Sequence, residues 1–349
     1  MAERLVGVAL VGLGWWSSAV SRAAKKSQRL RIVNCYTRTP EKRKKFAESF
    51  GCRESKTYEE VLQDPDVEGV LLTTPNSGHQ EQILKALSAG KHVFVEKPIT
   101  NTLPEAREVI AAHRKTRLTL MVGQCYRRAA GHRRAKRLIE EGRLGKLILA
   151  ESNFSVGVGP SLTPDKWRYH EAECPGGPLT QIGIHHADTL AYLFGPIRRV
   201  TGAFSKLNTP AEVSDLHVSM VEFESGALGY MGCSFATPLV YSLNVYGSEG
   251  NLYMTTNRSD VTQTDRLDLQ TELSLQEKDN PGRKPLSLQA GDMVLEELEE
   301  FSECIRTGKS PETGVPEGVK ALAFVHAAIR SFREERPVSI AEMLEGVGL

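Results

Sequence analysis

The chain has no excess of either charge sign. Its 44 Lys and Arg are set against 43 Asp and Glu, a formal net charge of +1, so no overall field draws it to nucleic acid or to an anionic membrane. Long hydrophobic runs are also missing. No segment approaches the roughly 18 apolar residues that a membrane-spanning helix needs. The apolar run in MAERLVGVALVGLG (1–14) is too short for a signal peptide, and glycines cut it off. Cysteine is sparse and scattered: Cys35, Cys52, Cys125, Cys174, Cys233 and Cys304 form no CxxC pair and have no His at ligand spacing. That argues against a metal site or a disulfide scaffold and suits a reducing compartment. Internal repeats and low-complexity tracts are absent. The expectation is a soluble cytoplasmic protein with no metal, no nucleic-acid partner and no membrane partner. The basic runs EKRKK (41–45) and YRRAAGHRRAKR (126–137) lie in helix-like sequence and read as solvated faces.

What is present is a rhythm. With 349 residues, the chain exceeds what one hydrophobic core usually serves, so two domains are expected. Up to about residue 124, short apolar runs alternate with helical stretches: LVGVALVGLG, SSAVSRAAKK, LRIVNCYT, PEKRKKFAESF, VEGVLLTTP, HQEQILKALSAG, KHVFVEKP, LPEAREVIAAHRK and LTLMVGQCY. Strands that are apolar throughout are buried on both faces, which means a doubly wound parallel sheet with helices on each side. One more helix follows, over 132–141. From 144 onward the β-like runs alternate polar and apolar residues, as in DLHVSMVEFESGALGYMGCSFA, with hairpin turns at ESG (224–226) and GSEG (247–250). This predicts an α/β protein: a Rossmann domain over 1–124, then an α+β domain over 125–349 with a large open, mostly antiparallel sheet. The stretch 256–290 reads as loop or edge structure. Helices are expected at 292–308 and 315–335, and the C-terminal helix can pack back on the first domain.

The first strand runs into Gly12-x-Gly14-x-x-Ser17. A dinucleotide turn needs one glycine for the bend, a second so that backbone can approach the pyrophosphate, and a small third residue against the strand. The phosphates then sit on the N–H groups at the helix start. Trp15 and Trp16 are unusual there; they either wall a cofactor or substrate pocket or pack against the second domain. The second strand ends Cys35-Tyr36-Thr37-Arg38-Thr39 with no carboxylate to hold an NAD ribose. Thr37 and Arg38 suit a 2′-phosphate instead, so NADP(H) is preferred and NAD(H) stays possible.

In order and wording these segments resemble the glucose–fructose oxidoreductase, inositol dehydrogenase and rhizopine-catabolism (GFO/IDH/MocA) oxidoreductases. The resemblance is carried by the GLG turn, TTPNSGH (73–79), AGKHVFVEKPI (89–99), QCYRR (124–128), IEEGRLGKL (139–147), GGPLTQIGIHHAD (176–188) and NVYGSEGNL (244–252). It implies an NAD(P)-dependent dehydrogenase or reductase acting on a secondary alcohol or ketone of a sugar, inositol or related polyol, and a homodimer or homotetramer formed through the second sheet. By position it implies that Thr73, Thr74, Pro75, Asn76 and His79 lie along the cofactor. Glu96, Lys97 and Pro98 fall beside the nicotinamide ribose. Gln124 and Arg127 open the cleft, and Trp167 and Arg168 reach the substrate. Members commonly carry aspartate at the position of Gln181 and histidine at that of His185.

The ends of parallel strands face the ligand crevice, so Lys97 is expected there rather than in the core. An alcohol gives up hydride only as its O–H proton is taken. A partly buried lysine near an oxidised nicotinamide is pushed towards its neutral, proton-accepting form, and a charged one stabilises a developing alkoxide. Gln181 and His185, four apart, share a helix face. An amide cannot act as a base, so the proton falls to Lys97 and/or His185, and Gln181 binds substrate. His186 and Asp188 read as structural. The replacement of an acid by Gln181 keeps a second enzyme reading open, in which a tightly held cofactor transiently oxidises the substrate to permit elimination or glycoside cleavage. A non-catalytic, cofactor-sensing protein is a third reading.

Overall fold

The structure, a computed structural model, describes residues 4–257 and 263–349. It forms two compact units. One holds Met1–Gln124, Asp292–Val319 and Gly348–Leu349; the other holds Cys125–Gly291 and Lys320–Val347.

The first unit is built from β1 (Val6–Val11), α1 (Ser17–Lys26), β2 (Leu30–Tyr36), α2 (Pro40–Phe50), β3 (Arg53–Glu54), α3 (Tyr58–Gln63), β4 (Gly69–Leu72), α4 (His79–Ser88), β5 (His92–Glu96), α5 (Leu103–His113) and β6 (Leu120–Gly123). The sheet order is β3-β2-β1-β4-β5-β6 and every pairing is parallel. All six residues of β1 and all four of β4 are buried, as continuously apolar strands require. Helix starts follow local chemistry. Thr102 and Glu105 form a capping box at α5, with Pro104 in its first turn. The strand order reverses between β1 and β4, so the crevice for a ligand lies at their C-terminal ends.

The second unit contains α6 (Ala130–Glu140), β7 (Leu147–Ser155), α7 (Ile184–Phe194), β8 (Ile197–Ser205), β9 (Leu216–Phe223), β10 (Leu228–Ser234), β11 (Val240–Gly247), β12 (Gly250–Thr256), β13 (Thr271–Glu277) and β14 (Asn280–Leu286). The chain continues through α8 (Met293–Thr307) in the first unit, α9 (Val315–Glu334), which starts in the first unit and ends in the second, then β15 (Val338–Ser339) and α10 (Ile340–Leu344). Within the first unit Phe301 of α8 meets Phe94 of β5 edge-on at 6.0 Å. The second sheet has nine strands, ordered β14-β13-β12-β11-β7-β10-β9-β8-β15. All its pairings are antiparallel except β7 with β10.

Both expected hairpins form, at Glu224–Gly226 and around Gly247–Gly250. The 256–290 stretch supplies β14, an edge strand, and β13 beside it, while 258–262 lie outside the described residues. One face of the sheet is buried, with Val221, Phe223, Met231, Cys233, Tyr241, Leu243 and Val245. Phe194 of α7 stacks on Phe223 at 4.8 Å. Among the described residues no helix is long and apolar enough to cross a membrane.

The two basic runs are not simply solvated faces. Arg43 is buried, and its Nη1 donates to the carbonyls of Thr37 at 2.7 Å and Arg38 at 3.3 Å. Arg127, Arg128 and His132 are buried too. Side chains with this much hydrogen-bonding capacity are drawn inward wherever a turn leaves carbonyls, or a helix leaves a carboxylate, to be satisfied.

Candidate active site

In the first unit, β1 leads into Gly12, where φ is +92° and a Cβ would lie 2.8 Å from the Thr73 carbonyl. Only glycine fits this turn. Thr73 closes it from β4: its N–H donates to Val11 O at 2.8 Å and its Oγ1 donates to Gly12 O at 2.5 Å. A Cβ on Gly14 would meet no protein atom within 4 Å. The first turn of α1 contains no acidic residue, and Ser17 Oγ donates back to Gly14 O at 2.6 Å. Open backbone at the positive end of a helix fits a pyrophosphate. At the end of β2, Thr37 is half-buried. Arg38 is exposed and makes no ion pair among the described residues. Arg43 holds their carbonyls and so shapes the turn that presents Arg38.

The loops after β4 and β5 are tied together. His79 is fully buried, with Nδ1 2.8 Å from Pro98 O and Nε2 3.1 Å from Thr74 O. Burial pushes its imidazole below the ordinary range. Thr74 Oγ1 donates to Gln82 Oε1 at 2.6 Å, Pro75 precedes a short turn, and Asn76 is buried. The Lys97–Pro98 peptide is cis. Glu96 ends β5, and its Oε1 accepts from Trp16 Nε1 at 2.5 Å. Burial pushes the Glu96 carboxyl up to about 7, against the opposing pull of Lys97 and the Trp16 bond. Trp15 is 58% exposed beside Trp16, with ring centroids 5.7 Å apart. Gln124, at the end of β6, is fully buried, and neither atom of its side-chain amide has a hydrogen-bond partner among the described residues. A buried amide without partners is costly in a resting protein.

In the second unit, Arg127 grips Asp188 of α7 in a bidentate pair, Nε to Oδ2 at 2.9 Å and Nη2 to Oδ1 at 2.5 Å, both residues buried. The guanidinium is thereby engaged in holding α7. His185 is buried, with the Tyr126 ring 4.5 Å away. Tyr126 stacks in turn on Tyr241 at 5.2 Å. Behind them His132 takes a defined tautomer. Its Nδ1–H donates to Tyr126 O at 2.8 Å, and its Nε2 accepts from the Tyr241 hydroxyl at 3.0 Å. Burial pushes this imidazole down to about 4, so it is neutral. His186 is enclosed by Phe154 and Tyr241 and pushed down to about 3 by burial.

Gln181 lies in a π-helical turn, Leu179–Gly183, that runs directly into α7; such turns are frequent at functional sites. Its Oε1 accepts from Arg168 Nε at 3.0 Å, and the Arg168 guanidinium lies 4.2 Å over the Trp167 ring. Trp167 packs against the buried cluster of Leu162, Cys174, Ala211, Val213 and Phe235. No group of three or more potential metal ligands occurs among the described residues.

The structure therefore joins Gly12 to Thr73, Trp16 to Glu96 and His79 to Pro98 in one unit, and Trp167, Arg168 and Gln181 in the other. Sequence reasoning missed Arg43, Tyr126, His132 and Tyr241. Tyr126 sits inside the QCYRR run, where the charges drew the attention, and nothing local ties it to Tyr241.

Residues 6–124 match the oxidoreductase family with an NAD-binding Rossmann fold, and residues 132–253 match the GFO/IDH/MocA C-terminal domain. The chain is 31% identical over 288 residues to the scyllo-inositol 2-dehydrogenase (NAD(+)) of Bacillus subtilis, covering 80% of each. The chain belongs to the GFO/IDH/MocA oxidoreductase family. Other members are similar over nearly the whole length. The 1,5-anhydro-D-fructose reductase of Ensifer adhaerens is 29% identical over 331 residues, 94% of this chain and 95% of that protein. The crystal structure of an inferred NADPH-dependent oxidoreductase from Desulfitobacterium hafniense is 36% identical and superposes with a TM-score of 0.92 over 97% of this chain and 99% of that one. As a GFO/IDH/MocA member the protein is a nicotinamide-dependent oxidoreductase, and the open glycine turn of its first unit fits that cofactor.

Proposed function

We propose that the protein moves a hydride between a nicotinamide and a secondary alcohol or ketone carbon of a sugar, inositol or related cyclic hydroxylated substrate, with Lys97 and/or His185 handling the proton. A bound nicotinamide dinucleotide supplies or accepts the hydride. The chain's own residues do the rest. Gly12, Gly14, Trp15 and Trp16 line the dinucleotide at the start of α1, with Thr73, Thr74, Pro75 and Asn76 alongside. His79 keeps that loop in place through Pro98. Lys97 takes the proton from the substrate oxygen in oxidation and returns it in reduction. His185, backed by Tyr126, shares or relays it. Gln124, Gln181, Trp167 and Arg168 contact the substrate, and Arg127 holds α7 through Asp188.

The observation that carries this reading is the Trp16–Glu96 bond. It ties the residue just before Lys97 to the glycine turn, so the strand-end amine and the dinucleotide turn share one corner of the first unit. The dehydrogenase and reductase names of the relatives support the substrate class. Thr37 and exposed Arg38, with no acid at the end of β2, favour NADP(H) over NAD(H). Six free cysteines support a reducing cytoplasm as the place of action.

The test is a hydride-transfer screen of sugars, inositols and hydroxy acids with both cofactors, followed by Lys97→Ala. Loss of a positioned proton carrier is expected to lower kcat by about 10²- to 10⁴-fold while cofactor still binds. Wild-type turnover in that variant would sink the assignment of Lys97. Arg38→Ala is expected to weaken NADPH binding about tenfold or more and NADH binding far less, as loss of a charge-assisted bond to phosphate implies; equal losses remove the NADP preference.

The neutral Gln181 favours one second reading, a tightly held cofactor that transiently oxidises its substrate during elimination or glycoside cleavage. That enzyme consumes substrate with no net change in nicotinamide absorbance.

A further inference from the structure

Most arginines of the second unit that lie near acids are paired with them: Arg127 with Asp188, Arg143 with Glu277, Arg198 and Arg199 with Glu222. Arg168 is different. It sits on the short turn Trp167–Tyr169, partly buried, and makes no ion pair with any carboxylate among the described residues. Its one hydrogen bond is from Nε to the amide oxygen of Gln181, and its planar face is held on Trp167. Burial opposes its charge. A desolvated cation with only neutral neighbours lacks a counter-charge.

The hydrogen bonding shows which edge of the guanidinium is unpaired among the described residues. Gln181 takes Nε, and Trp167 fixes the plane. Nη1 and Nη2 remain, and they form the end-on fork that matches the two oxygens of a carboxylate. Gln181 orients that fork without neutralising it, which an acidic side chain at the same position could not do. One guanidinium balances the single charge of a carboxylate and leaves a phosphate dianion half unmatched.

We propose that Arg168 binds a carboxylate on the substrate, so that the substrate is a hydroxylated acid, such as a sugar acid, rather than a neutral polyol. The proposal rests on the hydride-transfer reading above and narrows it. The fork stands on the turn beside Gln181, four residues before His185, and so reads a group of the substrate other than the reacting carbinol.

The test uses the full-length protein and matched pairs: glucose with glucuronate, galactose with galacturonate, and glucose 6-phosphate as the phosphate arm. Each is assayed with NAD and NADP, and glucuronate binding to the cofactor-loaded protein is measured by calorimetry. The acid is expected to exceed its neutral partner in kcat/KM by about 10-fold or more. Arg168→Gln is expected to cut that preference, and glucuronate affinity, by about 10- to 100-fold, the usual size for a charge-assisted pair. Arg168→Lys keeps the charge but loses the fork and falls between. Neutral sugars used as well as acids by the wild type, or an unchanged acid preference in both variants, overturn the proposal and leave hydride transfer standing. A preference for the sugar phosphate overturns the carboxylate assignment. No net hydride transfer from any compound, with cofactor bound, overturns the redox reading itself and this proposal with it.

Discussion

A carboxyl group with a lysine as its chain neighbour and an indole N–H as its donor ought to ionise easily, yet Glu96 resists. Its pKa stands at about 7 because burial outweighs both favourable partners. The consequence for stability has a definite sign. A carboxyl whose folded pKa is raised binds more protons when folded than unfolded, so the fold loses stability as pH rises from the unfolded value, 4.5, to about 7, and the loss is then complete. Glu96→Gln removes the titration while keeping an oxygen for Trp16. The melting temperature of the variant minus that of the wild type is therefore expected to climb between pH 4.5 and 7 and to level off above. Thermal denaturation of the cofactor-free protein across that range checks it; a flat difference would mean that folding does not raise the pKa of Glu96. The same balance prepares the group for work. Near neutrality a bound cation such as an oxidised nicotinamide ring would draw Glu96 towards its charged form.

At the scale of elements, the turn before α7 is tightly constrained. Gly177 has φ +50°, and a Cβ there would lie 2.3 Å from the Ser214 carbonyl oxygen. Gly177→Ala is expected to cost about 2 kcal/mol or more, through a disfavoured backbone conformation and a backbone collision. It also displaces Pro178 and the π-helical turn that holds Gln181, so KM is expected to rise along with the loss of melting temperature. Denaturant titration and initial-rate kinetics on the purified variant check both; wild-type stability would show that the turn can relax. The glycines of this turn were visible in GGPLTQIGIHHAD, and so was the helix that follows. The π-helical register was not; Gly183 there lies close under Cys233 of β10, a neighbour the local sequence does not show. In the first unit the strands and most helices could be read directly, since strands buried on both faces are uniformly apolar and Pro, Thr and Gly punctuate the helices. The two-residue β3 and the six-residue α3 carried too little pattern to register. The partners of site residues were legible only where they were neighbours in sequence. Arg127 and Asp188 are 61 positions apart, and His132 and Tyr241 are 109 apart; pairings of that range are set by the fold, not by local spacing.

For the molecule as a whole, the exposed face of the second sheet carries a group of large apolar side chains. Val218, Met220, Leu228, Tyr230 and Val240 are each at least 40% exposed. Met220 lies directly opposite Tyr230, and Glu222 opposite Leu228, which puts these side chains on one face across β9 and β10. Scattered apolar residues on a surface need no explanation, but a stripe shared by adjacent strands marks a contact surface. A sheet face can meet its own copy about a two-fold axis, so that each residue of the patch faces the same patch on the other subunit. We propose a homodimer or homotetramer through this face. Met220→Lys places a charge at the centre of the stripe without disturbing the buried side, where Val221 and Met231 pack. Desolvating an unpaired ammonium in the interface costs more than the lost methionine contact alone, so the variant is expected to shift to monomer at concentrations where the wild type is assembled, with each unit still folded. Light scattering with circular dichroism checks it. A monomeric wild type at tens of micromolar protein would overturn the proposed assembly, and an unchanged assembly in the lysine variant would place the interface elsewhere.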